Sequence, residues 1–209
     1  MEKYQDREEA GSVVADNLKD YMDNPNAIVL ALARGGVPVG YEIAKKLHLP
    51  LDVMIVRKLG VPTNPEFAFG AITSGGVIIL NQEIIKTLAL KEQVIAEIKE
   101  KEEQELTRRE KVYRGARPLP NIENKTVILV DDGIATGYTV KAAIIALRKQ
   151  NPAQIILAVP VAPQDTLKEL QNLVDDIVCP LIPDDLQAVG LWYRVFAQTS
   201  DAEVIQLLG

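Results

Sequence analysis

One cysteine and one histidine make up this chain's whole stock of thiol and imidazole. Cys179 alone permits no internal disulfide and fits a reducing compartment, so the cytoplasm is the expected location. It lies in the apolar run DDIVCPLI and reads as a buried strand residue rather than a nucleophile. His48 falls at the end of an expected helix, without His or Cys partners for a metal site, and reads as structural. Apolar runs of membrane-spanning length are missing, and the opening MEKYQDREEAG is charged, with no signal-peptide core. Positive charge is in deficit as well: a net charge of −6 argues against a general nucleic-acid binder. The chain has no Gly-Lys-Ser/Thr and hence no Walker A loop. Linkers, internal repeats and low-complexity tracts are absent too. The 209 residues, 47% hydrophobic and 25% charged, are therefore expected to bury one substantial core.

The most informative stretch runs from Lys125 to Arg148, KTVILVDDGIATGYTVKAAIIALR. Thr126 to Val130 has the β-branched, apolar pattern of a strand buried on both faces of a parallel sheet. Val140, Ala143, Ile144 and Leu147 then recur at helical spacing, with Lys141, Arg148 and Lys149 facing out. Between these pieces lie Asp131, Asp132, Gly133, Thr136, Gly137 and Thr139. A helix N-terminus offers free N–H groups and a partial positive charge, which hold a phosphate. Glycines let the backbone approach closely, and threonine hydroxyls donate. Two carboxylates at a strand's carboxyl end lie where open α/β sheets bind ligands. There they can accept from a sugar's vicinal hydroxyls or hold a divalent cation through water. Phosphate, diol and metal together describe a phosphorylated ribose. A bare strand–turn–helix with capping residues would need only one of these polar groups.

The segment closely resembles the phosphoribosyl pyrophosphate (PRPP) signature of the type I phosphoribosyltransferases: four apolar residues, two acids, and a loop ending Thr-Gly-x-Thr. The resemblance covers the full length, from Ala33-Arg34-Gly35-Gly36 through this loop to the tail. It is strongest for predicted phosphoribosyltransferases of unsettled substrate that share RKLGVP, a long helix and YRGARP. It implies an α/β fold in a single domain over residues 1–209, with a core of about 25–181. The core would be a five-stranded parallel sheet flanked by helices, with a flexible hairpin loop. A long helical insertion at about 83–117 and a small C-terminal hood at about 182–209 would complete it. The implied reaction transfers the 5-phosphoribosyl group of PRPP to a nitrogenous acceptor, with release of pyrophosphate. It passes through an oxocarbenium-like transition state and needs no protein nucleophile. Asp131 and Asp132 would be the catalytic acids, binding the ribose hydroxyls and, through water, Mg2+. Gly133, Ala135, Thr136, Gly137, Tyr138 and Thr139 would hold the 5′-phosphate. Arg34, Gly35 and Gly36 would hold the pyrophosphate.

Taken from its start, the chain predicts an amphipathic helix over 5–22, with Val13, Val14, Leu18 and Tyr21 on one side. Ala27 to Ala33 (AIVLALA) reads as a buried strand that breaks at Arg34-Gly35-Gly36. A helix follows from about Val37 to Leu47, with Pro38 where proline is tolerated. Leu51 to Val56 is a third strand, ending in Arg57-Lys58, two cations suited to the same pyrophosphate. Since strand neighbours face opposite ways, one of the two is expected to reach it. The stretch LGVPTNPEFAFGAITSGGVIIL predicts a hairpin around Ser74-Gly75-Gly76 with a mobile leading loop. It resembles the family's loop that closes over the ribose and excludes water. A long helix from about Lys91 to Tyr113 carries the pairs Glu97–Lys101 and Glu105–Arg109 and a thin apolar stripe of Val94, Ile95, Ile98, Leu106 and Val112. It reads as a solvated helix touching the body or a partner chain, with Arg108, Arg109, Lys111, Arg114 and Arg117 open to an anionic contact. Strands over Gln154–Pro160 and Asp176–Pro180 flank a helix over PQDTLKELQNL, capped by Asp165 or Thr166. Strands alternating with helices give a parallel sheet covered on both faces.

In the tail, Trp192, Tyr193 and Phe196 follow Ala188-Val189-Gly190. This is similar to the base-binding hood of purine-salvage members, and makes Ala188, Val189 and Trp192 the acceptor-binding candidates, with the aromatic residues either stacking on a base or packing the hood on the sheet. Two positions depart from the 6-oxopurine enzymes. Ala135 stands where they carry an aspartate near the base, and Leu191-Trp192-Tyr193-Arg194 where they place an acid. The acceptor is therefore expected to be a nucleobase other than a 6-oxopurine. Tyr138, where a small residue or lysine is common, would crowd or cover the phosphate. The expected partners are PRPP, a small-molecule acceptor and a second copy of the chain in a homodimer, with neither membrane nor nucleic acid. The competing reading is a non-enzymatic PRPP- or nucleotide-binding regulator on the same fold, touching nucleic acid through the basic cluster at 108–117.

Overall fold

The computed structural model describes residues 3–62 and 64–209, and all their side chains except those of Pro65 and Glu66. Met1, Glu2 and Thr63, the last within the expected mobile loop, lie outside the described residues. Helix α1 (Arg7–Asp16) starts at Asp6, whose carboxylate accepts the Glu9 N–H at 2.9 Å, and ends before a 3-10 turn over Lys19–Tyr21. Strand β1 (Ala27–Leu32), helix α2 (Gly36–Leu47) and strand β2 (Leu51–Met54) follow. Next come β3 (Val56–Val61), β4 (Asn64–Thr73), β5 (Val77–Leu80), α3 (Gln82–Thr87) and α4 (Glu92–Arg114). The second half runs β6 (Thr126–Val130), α5 (Tyr138–Arg148), β7 (Gln154–Ala158), α6 (Gln164–Gln171), β8 (Asp176–Val178) and α7 (Asp201–Leu208).

The five expected strands form one parallel sheet in the order β2-β1-β6-β7-β8, so the α/β architecture stands. Each central strand is apolar throughout because successive side chains serve opposite faces. Val127 and Leu129 of β6, with Ile155 and Leu157 of β7, pack under α5 and α6. Ile128, Val130, Ile156 and Ala158 pack on the other face, against α1 and α2. Burying each large aliphatic side chain contributes roughly 1.5–3 kcal/mol, so this two-faced sheet is the main reservoir of stability.

Three expectations need correction. The strand predicted over Leu51–Val56 divides at Ile55. Its N–H donates to Ser74 Oγ at 3.0 Å and its carbonyl accepts from Ser74 N–H at 2.8 Å. With its backbone satisfied there, the chain leaves the parallel sheet and begins β3. The segment expected as a loop leading a hairpin is thus partly strand. β3, β4 and β5 form a separate three-stranded antiparallel sheet, turning at Ser74-Gly75-Gly76 as the sequence predicts. Helix α4 touches the body through its expected apolar stripe, packing Ile95, Ile98, Leu106 and Val112 against this second sheet and α7, and it also buries Tyr113 and Arg114. Arg114 leaves the expected anion-binding cluster altogether. It is 5% exposed, bonded to Asp52 Oδ1 at 2.9 Å and to the Val53 carbonyl.

Smaller points agree or differ locally. Glu105 pairs with Arg109 at 2.7 Å, whereas Glu97 accepts from Gln93. His48 closes α2 as its left-handed C-cap, 3.0 Å from Asp23, which fits a structural part. Cys179 follows β8, and burial pushes its thiol up to about 11, which leaves it protonated at neutral pH. The N-cap of α6 is Pro163 rather than Asp165 or Thr166. No described helix is long and apolar enough to cross a membrane.

Candidate functional site

Strands β1 and β6 are neighbours, with Ala31 beside Val130, so the turn after β1 and the loop after β6 open side by side at the sheet's carboxyl edge. The Arg34-Gly35-Gly36 turn, entered through a cis peptide at Ala33–Arg34, packs directly on the two acids. A Cβ on Gly35 would lie 2.2 Å from Asp132 Oδ2, so glycine is required by proximity there. Asp131 Oδ1 accepts the Asp132 N–H at 2.9 Å. Asp132 Oδ2 accepts Arg7 Nε at 2.9 Å and pairs with Arg7 Nη2 at 2.8 Å, while its carbonyl accepts the Tyr193 hydroxyl at 2.5 Å. Burial, and then the charge of Asp132, push the Asp131 carboxyl well above the usual range. Burial also raises Asp132, with Arg7 working against the rise. Two adjacent acids in such a setting favour a cation or hydroxyl donors as company.

The loop from Asp131 enters α5 through Gly137, left-handed at φ 69°. The helix start has no side-chain cap and no acid in its first turn, which leaves N–H groups for an anion. Thr139 faces the cavity described next; Ala135 and Thr136 are exposed beside it. Thr166 donates to the Ala135 carbonyl at 2.8 Å, tying the loop to α6. Gly133 packs against Val189, and Gly36 against the Val130 carbonyl. Tyr138 does not line that cavity. It borders a second one of about 450 Å³ with Ile79, Leu80 and Lys141.

A cavity of about 1000 Å³ joins these parts. Arg34, Gly35, Asp131, Asp132 and Thr139 form its floor, and Arg57 and Lys58 a flank. Both of the latter border it, against the expectation of one; they lie on β3 of the second sheet. Arg57 is held by Glu102 at 2.6 Å, and Arg34 lies 3.6 Å from Asp201 of α7. Sequence reasoning missed three wall residues on α4, namely Ile98, Lys101 and Glu102, and also Arg7, whereas Arg109 of the expected basic cluster does border the cavity. Charge on a helix says nothing of what it faces.

The structure separates the hood candidates. Val189 lines the cavity, but Ala188 and Trp192 do not. Trp192 packs with Tyr4, Leu186 and Tyr193 and donates its indole N–H to the Leu186 carbonyl at 3.1 Å. The N-terminal Tyr4 pairs with the hood at Tyr193 and so holds the indole away. Phe196, Ala197, Gln198 and Thr199 take its place at the cavity, and the buried Thr199 hydroxyl has no hydrogen-bond partner. Among the described residues no group of three or more His, Cys, Asp or Glu is arranged to hold a metal ion, so the acid pair by itself does not cage one.

Comparison with known proteins bears on this geometry. A family model described as the phosphoribosyl transferase domain matches residues 1–193. Two curated proteins from Mycobacterium tuberculosis strains CDC 1551 and H37Rv are each 41% identical over 208 residues, 100% of this chain and 47% of theirs. Their names class them provisionally as phosphoribosyl transferases and state no substrate. The chain spans about half the length of these curated relatives. The crystal structure of TT1426 from Thermus thermophilus superposes with a TM-score of 0.84 at 34% identity, covering 99% of this chain and 97% of that one. The AQ2163 protein of Aquifex aeolicus, 13% identical with a TM-score of 0.52 over 84% of this chain and 74% of its own, shares the fold.

Proposed function

The chain belongs to the phosphoribosyl transferase family, and from that premise we propose that it moves the 5-phosphoribosyl group of PRPP to a nitrogen of a small acceptor, releasing pyrophosphate. One observation supports the reading above others. A single cavity is bordered by the Arg34-Gly35 turn, the Asp131–Asp132 pair, Thr139 at an uncapped helix start and the Phe196–Thr199 segment. These supply a pyrophosphate cradle, acceptors for a diol, a phosphate anchor and an acceptor wall. In the reaction the C1–oxygen bond to pyrophosphate breaks, C1 bonds to the acceptor nitrogen, and the nitrogen's proton leaves to solvent. Positive charge develops on the ribose and negative charge on the leaving group. The two carboxylates favour the first; Arg34, Arg57 and Lys58 favour the second.

Asp131 and Asp132 are hard oxygen donors that fit Mg2+ held partly through water and substrate oxygens. When bound, that ion would neutralise charge on the pyrophosphate. The acceptor in this proposal is a nucleobase other than a 6-oxopurine. A 6-oxopurine benefits from a nearby carboxylate to share its proton, and Ala135 supplies none. The test is pyrophosphate release from PRPP with Mg2+ across a panel of bases. Release with one base, abolished when Asp131 and Asp132 are both changed to Asn, is the expected result. Robust turnover of hypoxanthine or guanine would remove the acceptor assignment. Neither turnover nor PRPP binding at millimolar concentration would remove the reading itself.

A further inference from the structure

Arg7 stands on the first turn of α1, yet it touches both the acids and the hood. Its Nε and Nη2 bond to Asp132 Oδ2 at 2.9 and 2.8 Å, and its Nη1 donates to the Ala197 carbonyl at 2.7 Å. The guanidinium carbon lies 4.0 Å from the centroid of the Phe196 ring. All three guanidinium nitrogens and one face are therefore engaged, with the side chain only 12% exposed. Both bonds to the acid fall on the same oxygen. That leaves Asp132 Oδ1 to accept from a sugar hydroxyl, while the Gly35 backbone closes on Oδ2.

We propose that Arg7 is a positioning residue for ribose recognition: it fixes the Asp132 carboxylate so that Oδ1 is presented to the diol, and it ties that setting to the acceptor-side segment at Phe196–Ala197. The inference rests on reading the cavity as a PRPP site. A planar fork can hold two bonds to one oxygen and a third to the carbonyl while stacking on a ring, which a lysine cannot do. A residue that merely fastened the N-terminus to the hood would affect every ligand alike. Positioning for a diol affects ligands according to their hydroxyls.

The test is calorimetric binding of ribose 5-phosphate, 2-deoxyribose 5-phosphate and inorganic phosphate to the full chain. The wild type should prefer ribose over deoxyribose by on the order of 10- to 100-fold, the range of one hydrogen bond to a charged group. In Arg7→Met that preference should collapse to about threefold or less, while inorganic phosphate, held at the α5 start, binds as in the wild type. Arg7→Lys should fall between. A full ribose preference in Arg7→Met overturns the proposal, as does equal weakening of all three ligands. Should circular dichroism show Arg7→Met unfolded, Arg7→Lys decides: a preference below the wild type's supports positioning, and an undiminished one overturns it. If the wild type binds phosphate without distinguishing the sugars, the diol assignment and this role fall together. If it binds none of the three, the PRPP reading itself fails.

Discussion

Replacing Gly35 with alanine probes the site at its tightest point. Gly35 has φ −59° and ψ −34°, a conformation alanine adopts without strain, so any effect comes from the added methyl. That methyl would sit 2.2 Å from Asp132 Oδ2 and 2.8 Å from Asp132 Cγ. Ordinary contact between such atoms needs roughly 3.5 Å, so the carboxylate must retreat by about 1 Å. It cannot simply swing aside, because Oδ2 carries both Arg7 bonds, at 2.8 and 2.9 Å. A retreat of about 1 Å takes both beyond hydrogen-bonding range. Losing the Asp132 hydrogen bond to a sugar hydroxyl in this way costs on the order of 10- to 100-fold in affinity for ribose 5-phosphate. Overpacking adds about 1–3 kcal/mol of destabilisation, and each kcal/mol lowers Tm by about 2–4 °C in a chain of this size. Calorimetric titration with ribose 5-phosphate and a thermal melt measure the two effects separately. Gly36→Ala is the comparison. Its Cβ would meet the Val130 carbonyl at 2.8 Å and Asp131 Cα at 2.9 Å, main-chain atoms of the sheet edge that have nowhere to go. It should therefore lose more stability than Gly35→Ala. Wild-type affinity together with an unchanged melt in Gly35→Ala would refute the reasoning.

Other outcomes follow from the same geometry. Phe196→Ala should raise the acceptor's KM well above any change in that of PRPP, whereas Trp192→Ala should lower Tm with both KM values near wild type; steady-state kinetics showing the reverse would return the acceptor wall to Trp192. Arg114→Met leaves Asp52 without its partner and should cost roughly 3 kcal/mol, a fall in Tm of about 6–12 °C by thermal scan. Arg108, then Arg109, hold Glu105 down to about 2 from its ordinary 4.5, so its stabilising contribution is complete above pH 4.5 and is lost as pH falls toward 2. The stability gap between Glu105→Gln and wild type should accordingly close across that window, and a gap that stays constant from pH 7 to 2 would contradict the pairing.

The five parallel strands were legible because a strand buried on both faces must be apolar at every position, and Thr126–Val130 and Ala27–Leu32 are. The acid pair and the glycine turns were legible because strand, loop and helix start are contiguous in sequence. Helix α7 was readable too and went unread. Ser200 and Glu203 stand at capping-box spacing just before Val204, and Ser200 Oγ accepts the Glu203 N–H at 3.1 Å. The split at Ile55 had no such signal, since Leu51 to Val56 is apolar or strand-forming on either side of it. What divides it is Ser74, 19 residues away.

By itself, then, the sequence determined the sheet, the order of its strands along the chain, and a loop of two acids, glycines and threonines at the end of one of them, because each is written in neighbouring residues through burial, period and turn chemistry. Tertiary structure alone decided what surrounds that loop. Arg7 meets Asp132 across 125 residues, α4 turns a charged face to the cavity, and Tyr4 draws Trp192 aside so that Phe196 borders the site instead. Such contacts depend on how separate elements pack, and a guanidinium or an aromatic ring reads the same in sequence whether it faces water, a core or a ligand.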